Sequence, residues 1–217
     1  MSKEAILGNL KASLAHNRLE GAQVSYENPM TNPVSSPQER LQEFIALQEA
    51  NKAIVVQSSP ESLAKDIRQA FEDCGAKKVL YNPDIEAMES VISALEGREG
   101  LAYETSVDSM REEIFSIDTS IVQARCGVAN LGIIGVASGV MAPRLSSLVT
   151  QNCIVLLKKE DIIEHLYAGV NALKARGEGG KLPTNMIFIA GPSRTADIEL
   201  QTVFGVHGST RTFVILY

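Results

Sequence analysis

Residues 186–217 read MIFIAGPSRTADIELQTVFGVHGSTRTFVILY, and this stretch decides the fold. It begins with five residues lacking any polar member, Met186 to Ala190, and is stopped by Gly191 and Pro192, which reads as a short buried strand. Ser193, Arg194 and Thr195 turn the chain. Asp197, Ile198, Glu199, Thr202 and Val203 then follow helical spacing, with Ser193 or Thr195 as the cap. Asp197 and Glu199 suit the first helical turn because they face the positive end of its dipole, and Gly205 suits the far end. His207 and Gly208 make a tight loop before a second apolar run, Thr212 to Tyr217. Strand, turn, helix, loop, strand is an α/β unit. It sets a Ser, an Arg, a Thr, an Asp, a Glu and a His at the C-terminal ends of strands or beside them, the edge where open α/β sheets bind ligands.

Working back from that unit, the same alternation recurs. Ala53–Gln57, Lys78–Tyr81 and Leu101–Tyr103 read as short strands. Between and after them come helical patterns: 58–74 with Leu63, Ile67, Ala70 and Phe71 on one face, then 82–97, then Val107–Phe115. Short loops between alternating elements predict parallel βαβ units with right-handed crossovers. Thr119–Ala129 and Gly132–Ser138 are two strand-like runs about Asn130-Leu131, which predicts an antiparallel pair inserted in the parallel sheet. Cys153–Leu157 is a further strand, and Glu160–Arg176 a long helix with Ile162, Ile163, Leu166, Val170 and Leu173 on one face. At the N-terminus, Lys3–Arg18 carries one helical stripe, Glu20–Ser36 is a Gly/Pro/Asn/Ser-rich linker, and Ser36-Pro37 opens a helix over Gln38–Asn51. The expected organisation is an N-terminal helical arm and linker over residues 1–35, then a single α/β domain over 36–217.

Composition narrows the function. A net charge of −6 argues against general nucleic-acid binding, which requires a basic face. No apolar run reaches the ~18 residues of a membrane helix, and charges within the apolar spacing of the first residues rule out a signal peptide, so a cytoplasmic address is expected. Cys74, Cys126 and Cys153 lie far apart, without disulfide, metal or iron–sulfur spacing, and read as core thiols. Gly127, Gly132, Gly135 and Gly139 miss the dinucleotide-binding pattern, and Gly177-Glu178-Gly179-Gly180-Lys181 misses the phosphate-binding loop. These glycines read instead as turns and close-packed backbone. No His, Cys or carboxylate set has metal-ligand spacing, and His16 and His165 fall on helical patterns as surface residues.

GPSRTADIE at Gly191–Glu199, followed by GVHG at Gly205–Gly208, resembles the C-terminal signature of the lactate-utilisation protein C family, the LUD domain. The segment GVANLG at Gly127–Gly132, with Arg144 and Ser147 before the next strand, fits the same family. The resemblance implies a Rossmann-like mixed sheet flanked by helices, similar to the ribose-phosphate isomerase and CoA-transferase group. It also implies an L-lactate oxidation system in which this chain, without a cofactor of its own, works beside two iron–sulfur partner proteins. One departure stands out. Relatives often carry Glu-Thr-Gly-Thr where this chain has Asn130-Leu131-Gly132-Ile133, and an Asn cannot serve as a general base or carboxylate nucleophile. Two other readings stay open, a stand-alone enzyme on a phosphorylated or CoA-linked small molecule and a non-catalytic structural adaptor.

The candidate residues each carry two readings. Gly191, Ser193, Arg194 and Thr195 form a candidate anion site, with Arg194 offering a bidentate fork to a carboxylate or phosphate and the backbone N–H groups of a helix start assisting. The alternative is an internal pair of Arg194 with Asp197 or Glu199. His207 is a candidate general acid or base because imidazole titrates near neutrality, or else a loop histidine bonded to carbonyls. Asp197 is a candidate catalytic partner that orients His207 or a ligand, or else a plain helix-dipole carboxylate.

Overall fold

The computed structural model describes residues 2–16, 36–104, 109, 111–139, 143–177, 179–196 and 202–217. The linker expected over 20–36 falls almost wholly outside these residues, as do Asp197, Glu199 and the side chain of His16. The chain divides into two compact units, Met1–Thr31 and Asn32–Tyr217. The first contains helix α1 (Lys3–His16). The second runs α2 (Pro37–Ala50), β1 (Ile54–Gln57), α3 (Leu63–Cys74), β2 (Lys78–Tyr81), α4 (Met88–Ala94), β3 (Glu99–Ala102), α5 (Arg111–Ile114), β4 (Thr119–Gln123), β5 (Cys126–Val128) and β6 (Ile133–Ser138). It continues through β7 (Asn152–Leu157), β8 (Ile162–Ile163), α6 (Leu166–Lys174), β9 (Asn185–Ile189), β10 (Arg194–Ala196), β11 (Thr202–Phe204) and β12 (Arg211–Leu216).

Six strands form an all-parallel sheet in the order β1-β12-β7-β4-β2-β3. Its central strands are buried on both faces, which is why they read as unbroken apolar runs. Along β12, Phe213 and Ile215 point to one face and Val214 and Leu216 to the other. Along β7, Ile154 and Leu156 oppose Cys153, Val155 and Leu157 in the same way. The first face is covered by α3 and α4. Leu63, Ile67, Ala70, Phe71 and Cys74 recur at helical spacing and are all buried there, and α3 ends at Gly75 in the left-handed conformation. The second face is covered by α2, through Phe44, and by a separate four-stranded sheet in the order β8-β5-β6-β9. Helix α6 packs on the outer side of that small sheet, with Leu173 against Cys126, Ala137 and Phe188.

The central region corrects the sequence expectation. The run Thr119–Ala129 is two strands in two sheets: β4 belongs to the parallel sheet and β5 to the small one. The antiparallel pair β5–β6 therefore lies over the parallel sheet instead of within it. Gly127 permits the crossing, because a Cβ there would meet Leu157 at 2.8 Å and Phe44 at 2.9 Å. The turn between β5 and β6 is a short 3-10 turn, Ala129–Leu131, closed by Gly132 at φ +54°. Helix α2 rests on it: Gln48 Nε2 donates to Gly132 O at 2.7 Å, and a Cβ on Gly132 would lie 2.3 Å from that of Leu47. The start of α2 follows its sequence signal, Ser36 accepting from Glu39 N at 3.3 Å while Glu39 accepts from Ser36 N at 2.9 Å.

Two further expectations change. The long helix over 160–176 is shorter. Ile162 and Ile163 form β8, paired in parallel with Gly127 and Val128, and α6 starts only at Leu166, capped by His165, whose Nδ1 accepts from Ala168 N at 3.2 Å. The strand expected over 186–190 is present as β9, but it is half-buried at the edge of the small sheet, antiparallel to β6. No described helix is long and apolar enough to cross a membrane.

Candidate functional site

After β9 the sequence predicts a helix, and the structure has a hairpin instead. Arg194–Ala196 pairs antiparallel with Thr202–Phe204, Thr195 opposite Val203. Thr202, Val203 and Phe204 are β-branched or aromatic, and at so short a length their own preference outweighs a loose helical spacing. Gly205 therefore ends no helix. It turns at φ +80° and donates its N–H to Ser193 O at 2.9 Å, while Ser193 N donates to Ser209 O at 2.9 Å. The two halves of the signature are thus laced together. Gly191 is required where it stands: its φ is +82°, and a Cβ would lie 2.6 Å from Asn51 O.

The result is a cleft of about 290 Å³ lined by Ser147, Gly191, Ser193, Arg194, His207 and Ser209, with the β9 residues Ile187, Phe188 and Ile189 as a further wall. Arg194 is exposed and its Nη2 donates to Asn51 Oδ1 at 3.1 Å; among the described residues it forms no ion pair with a carboxylate. The structure brings Gly191, Ser193, Arg194 and His207 together. It does not bring Thr195, which lies in the hairpin outside this lining, and Asp197 is outside the described residues. Among the described residues no helix starts at the cleft, so the polar side-chain groups in its lining are the guanidinium, the imidazole and the hydroxyls. Ser147 and Ser209 were not foreseen as lining, since they lie far from Arg194 in sequence and reach it only through the loops before β7 and β12.

The location is also corrected. The cleft follows the C-terminal end of β9, but β9 is not in the parallel sheet. Relative to that sheet it sits by Asn51, Gln151 and Ser209–Thr210, which precede β1, β7 and β12: the N-terminal edge.

The opposite, C-terminal edge carries a cluster that sequence reading did not single out. Arg125, in the link from β4 to β5, is buried and pairs with Asp84 and, at 3.4 Å, with Glu86. Lys158 Nζ lies 2.6 Å from Glu86, and Arg176 lies 3.7 Å from it. Burial pushes the Arg125 guanidinium down to about 10, still far above neutrality, so it stays charged. Burial pushes the nearby Asp161 carboxyl up. A lone Arg inside the apolar run 119–129 was the available signal, because a buried charge demands a partner. These charges already answer one another. Asn130 donates its N–H to Glu164 O at 3.3 Å, and its buried Oδ1 has no partner among the described residues.

A parallel sheet covered by helices on one face and by a second sheet on the other, with a small cleft beside the C-terminal signature, defines a mixed α/β protein. The LUD domain profile matches residues 41–217, and the chain belongs to the LUD domain family. Among its relatives, the Neisseria meningitidis serogroup B protein NMB1437 is 31% identical over 99% of this chain and 92% of its own length. Lactate utilization protein C of Bacillus pumilus is 26% identical over 89% of this chain and 83% of its own. A crystal structure of a DUF162 family protein from Deinococcus radiodurans superposes with a TM-score of 0.63 at 20% identity, covering 84% of this chain and 99% of that one, which shows the shared fold.

Proposed function

We propose that the chain serves lactate utilisation, as a small subunit of an L-lactate oxidation system that works beside two iron–sulfur partner proteins. Relatives named lactate utilization protein C support the role. The observation that carries the reading is the cleft, where a guanidinium without a carboxylate partner among the described residues, an imidazole and hydroxyls converge in a volume suited to a small carboxylate. The assignment of clusters to partners is supported by the cysteines. Cys74, Cys153 and Cys126 are buried in three different cores, and burial pushes all three thiols up, away from the thiolate that iron binds.

The test is capture of the tagged chain from lactate-grown cells, followed by lactate-dependent reduction of an acceptor with and without it. Iron–sulfur proteins should co-purify, and lactate oxidation should fall at least tenfold without the chain. Lactate oxidation by the purified chain alone, or undiminished oxidation in its absence, would remove the subunit reading.

A further inference from the structure

The polar cleft has a neighbour. Leu148, His207 and Gly208 line both it and a second cleft of about 370 Å³, whose remaining walls include Ile114, Phe115, Val149 and Val206. The two therefore adjoin, with the His207-Gly208 loop on their shared rim. Their chemistry differs. Serines, Arg194 and His207 join apolar β9 residues in lining the first, whereas the second has no polar side chain other than His207 in its lining. Its floor is fixed, because Ile114, Leu145 and Val149 belong to the core cluster of Leu80, Tyr103 and Ile117. Its rim is open: Phe115 is 74% exposed, Val206 50% and Leu148 37%. Large apolar side chains gathered around a cleft, next to an anion-binding group, are a ligand-site pattern more than a scatter of surface residues.

We propose that the two clefts form one site for an amphiphilic carboxylate, with the head group at Ser193, Arg194 and His207 and an apolar chain along Phe115, Leu148 and Val206. This rests on the reading of the first cleft as an anion site. Size separates it from a site for lactate alone. At the ~30 Å³ that a water-sized group occupies, the six heavy atoms of lactate fill less than the first cleft, and its single methyl group leaves the second cleft unused. The second cleft has room for a chain of up to roughly twelve carbons by the same measure, so an eight-carbon acid fits it. Each buried methylene is worth about fourfold in affinity when fully covered, and an open cleft returns part of that.

The test uses the full chain and three probes, octanoate, acetate and lactate, titrated below the micellar range and followed by NMR. Octanoate is expected to bind at least tenfold tighter than acetate. Phe115→Ser and Val206→Ser, both at exposed positions, should together remove most of that preference and leave acetate unchanged. Arg194→Gln, with its melting temperature checked, should weaken octanoate and acetate alike by tenfold or more. Equal affinity for octanoate and acetate, no octanoate binding at millimolar concentration, or an octanoate preference that survives the paired serine variants would overturn the proposal. Growth on lactate after loss of the gene reads the preceding proposal separately. Impaired growth without an octanoate preference removes the amphiphile site alone; the preference with normal growth removes the lactate role alone.

Discussion

Cys126 and Cys153 show how single residues set a property of the whole chain. Both thiols are pushed up to about 11 by burial, from an ordinary value of 9.0. In the unfolded chain they ionise from about pH 9, while in the folded chain they hold their protons to about pH 11. The folded state then binds more protons, so stability is fully present below pH 9 and falls as pH rises toward 11, by about 1.4 kcal/mol per pH unit for each thiol. Urea unfolding at pH 8 and pH 10.5 checks this. The double variant Cys126→Ala, Cys153→Ala should be less stable at pH 8 yet lose most of the alkaline slope; a slope retained in full would show that other groups set the limb. That these cysteines are core thiols was legible from their spacing. The contact of Arg194 with Asn51 and the place of Ser147 beside it in the cleft were not, because both arise only through tertiary folding.

At the scale of elements, the crossover from β4 to β5 is the joint on which the two sheets turn, and Arg125 sits in it. Its pairs with Asp84 and Glu86 tie the joint to the loop after β2. Removing one partner from a buried pair costs about 3–5 kcal/mol. Asp84 and Glu86 keep some access to water, so Arg125→Met should cost near the low end, about 3 kcal/mol, and adding Asp84→Asn should restore part of it. Chemical denaturation of the single and double variants decides. A loss below about 1 kcal/mol in the single variant would mean the joint is held by packing. The strands and helices from Pro37 to Phe115 were legible because period and turn residues agree there, whereas the single run read over Thr119–Ala129 is split between two sheets. The hairpin after Gly191 was not. Its hydrogen bonds link Arg194–Ala196 to Thr202–Phe204 and answer to strand pairing, whereas the spacing of Asp197, Ile198, Thr202 and Val203 suggested a helix. The same misreading placed the cleft at the wrong edge of the parallel sheet, since nothing local in Met186–Ala190 says which of two sheets β9 joins.

For the whole molecule, the order β1-β12-β7 has a kinetic consequence. Among the described strands β1 pairs only with β12, Ile54 meeting Phe213, so the first strand of the sheet waits for the last. Closing so long a loop before any contact rewards it slows folding. Until β12 arrives, β1 and β7 each present an open edge, and the β7 edge is apolar on both faces, a template for pairing with another chain. Refolding by dilution from urea should therefore be slow and should lose yield as protein concentration rises. A chain stopped after Thr210, which lacks β12, should be recovered as aggregate, and a soluble, cooperatively unfolding product from it would refute this order of assembly. The last strand to be made is thus a lock: synthesis of the rest of the sheet leaves a gap that only this strand fills, and the interval before it closes is when the chain most needs a chaperone.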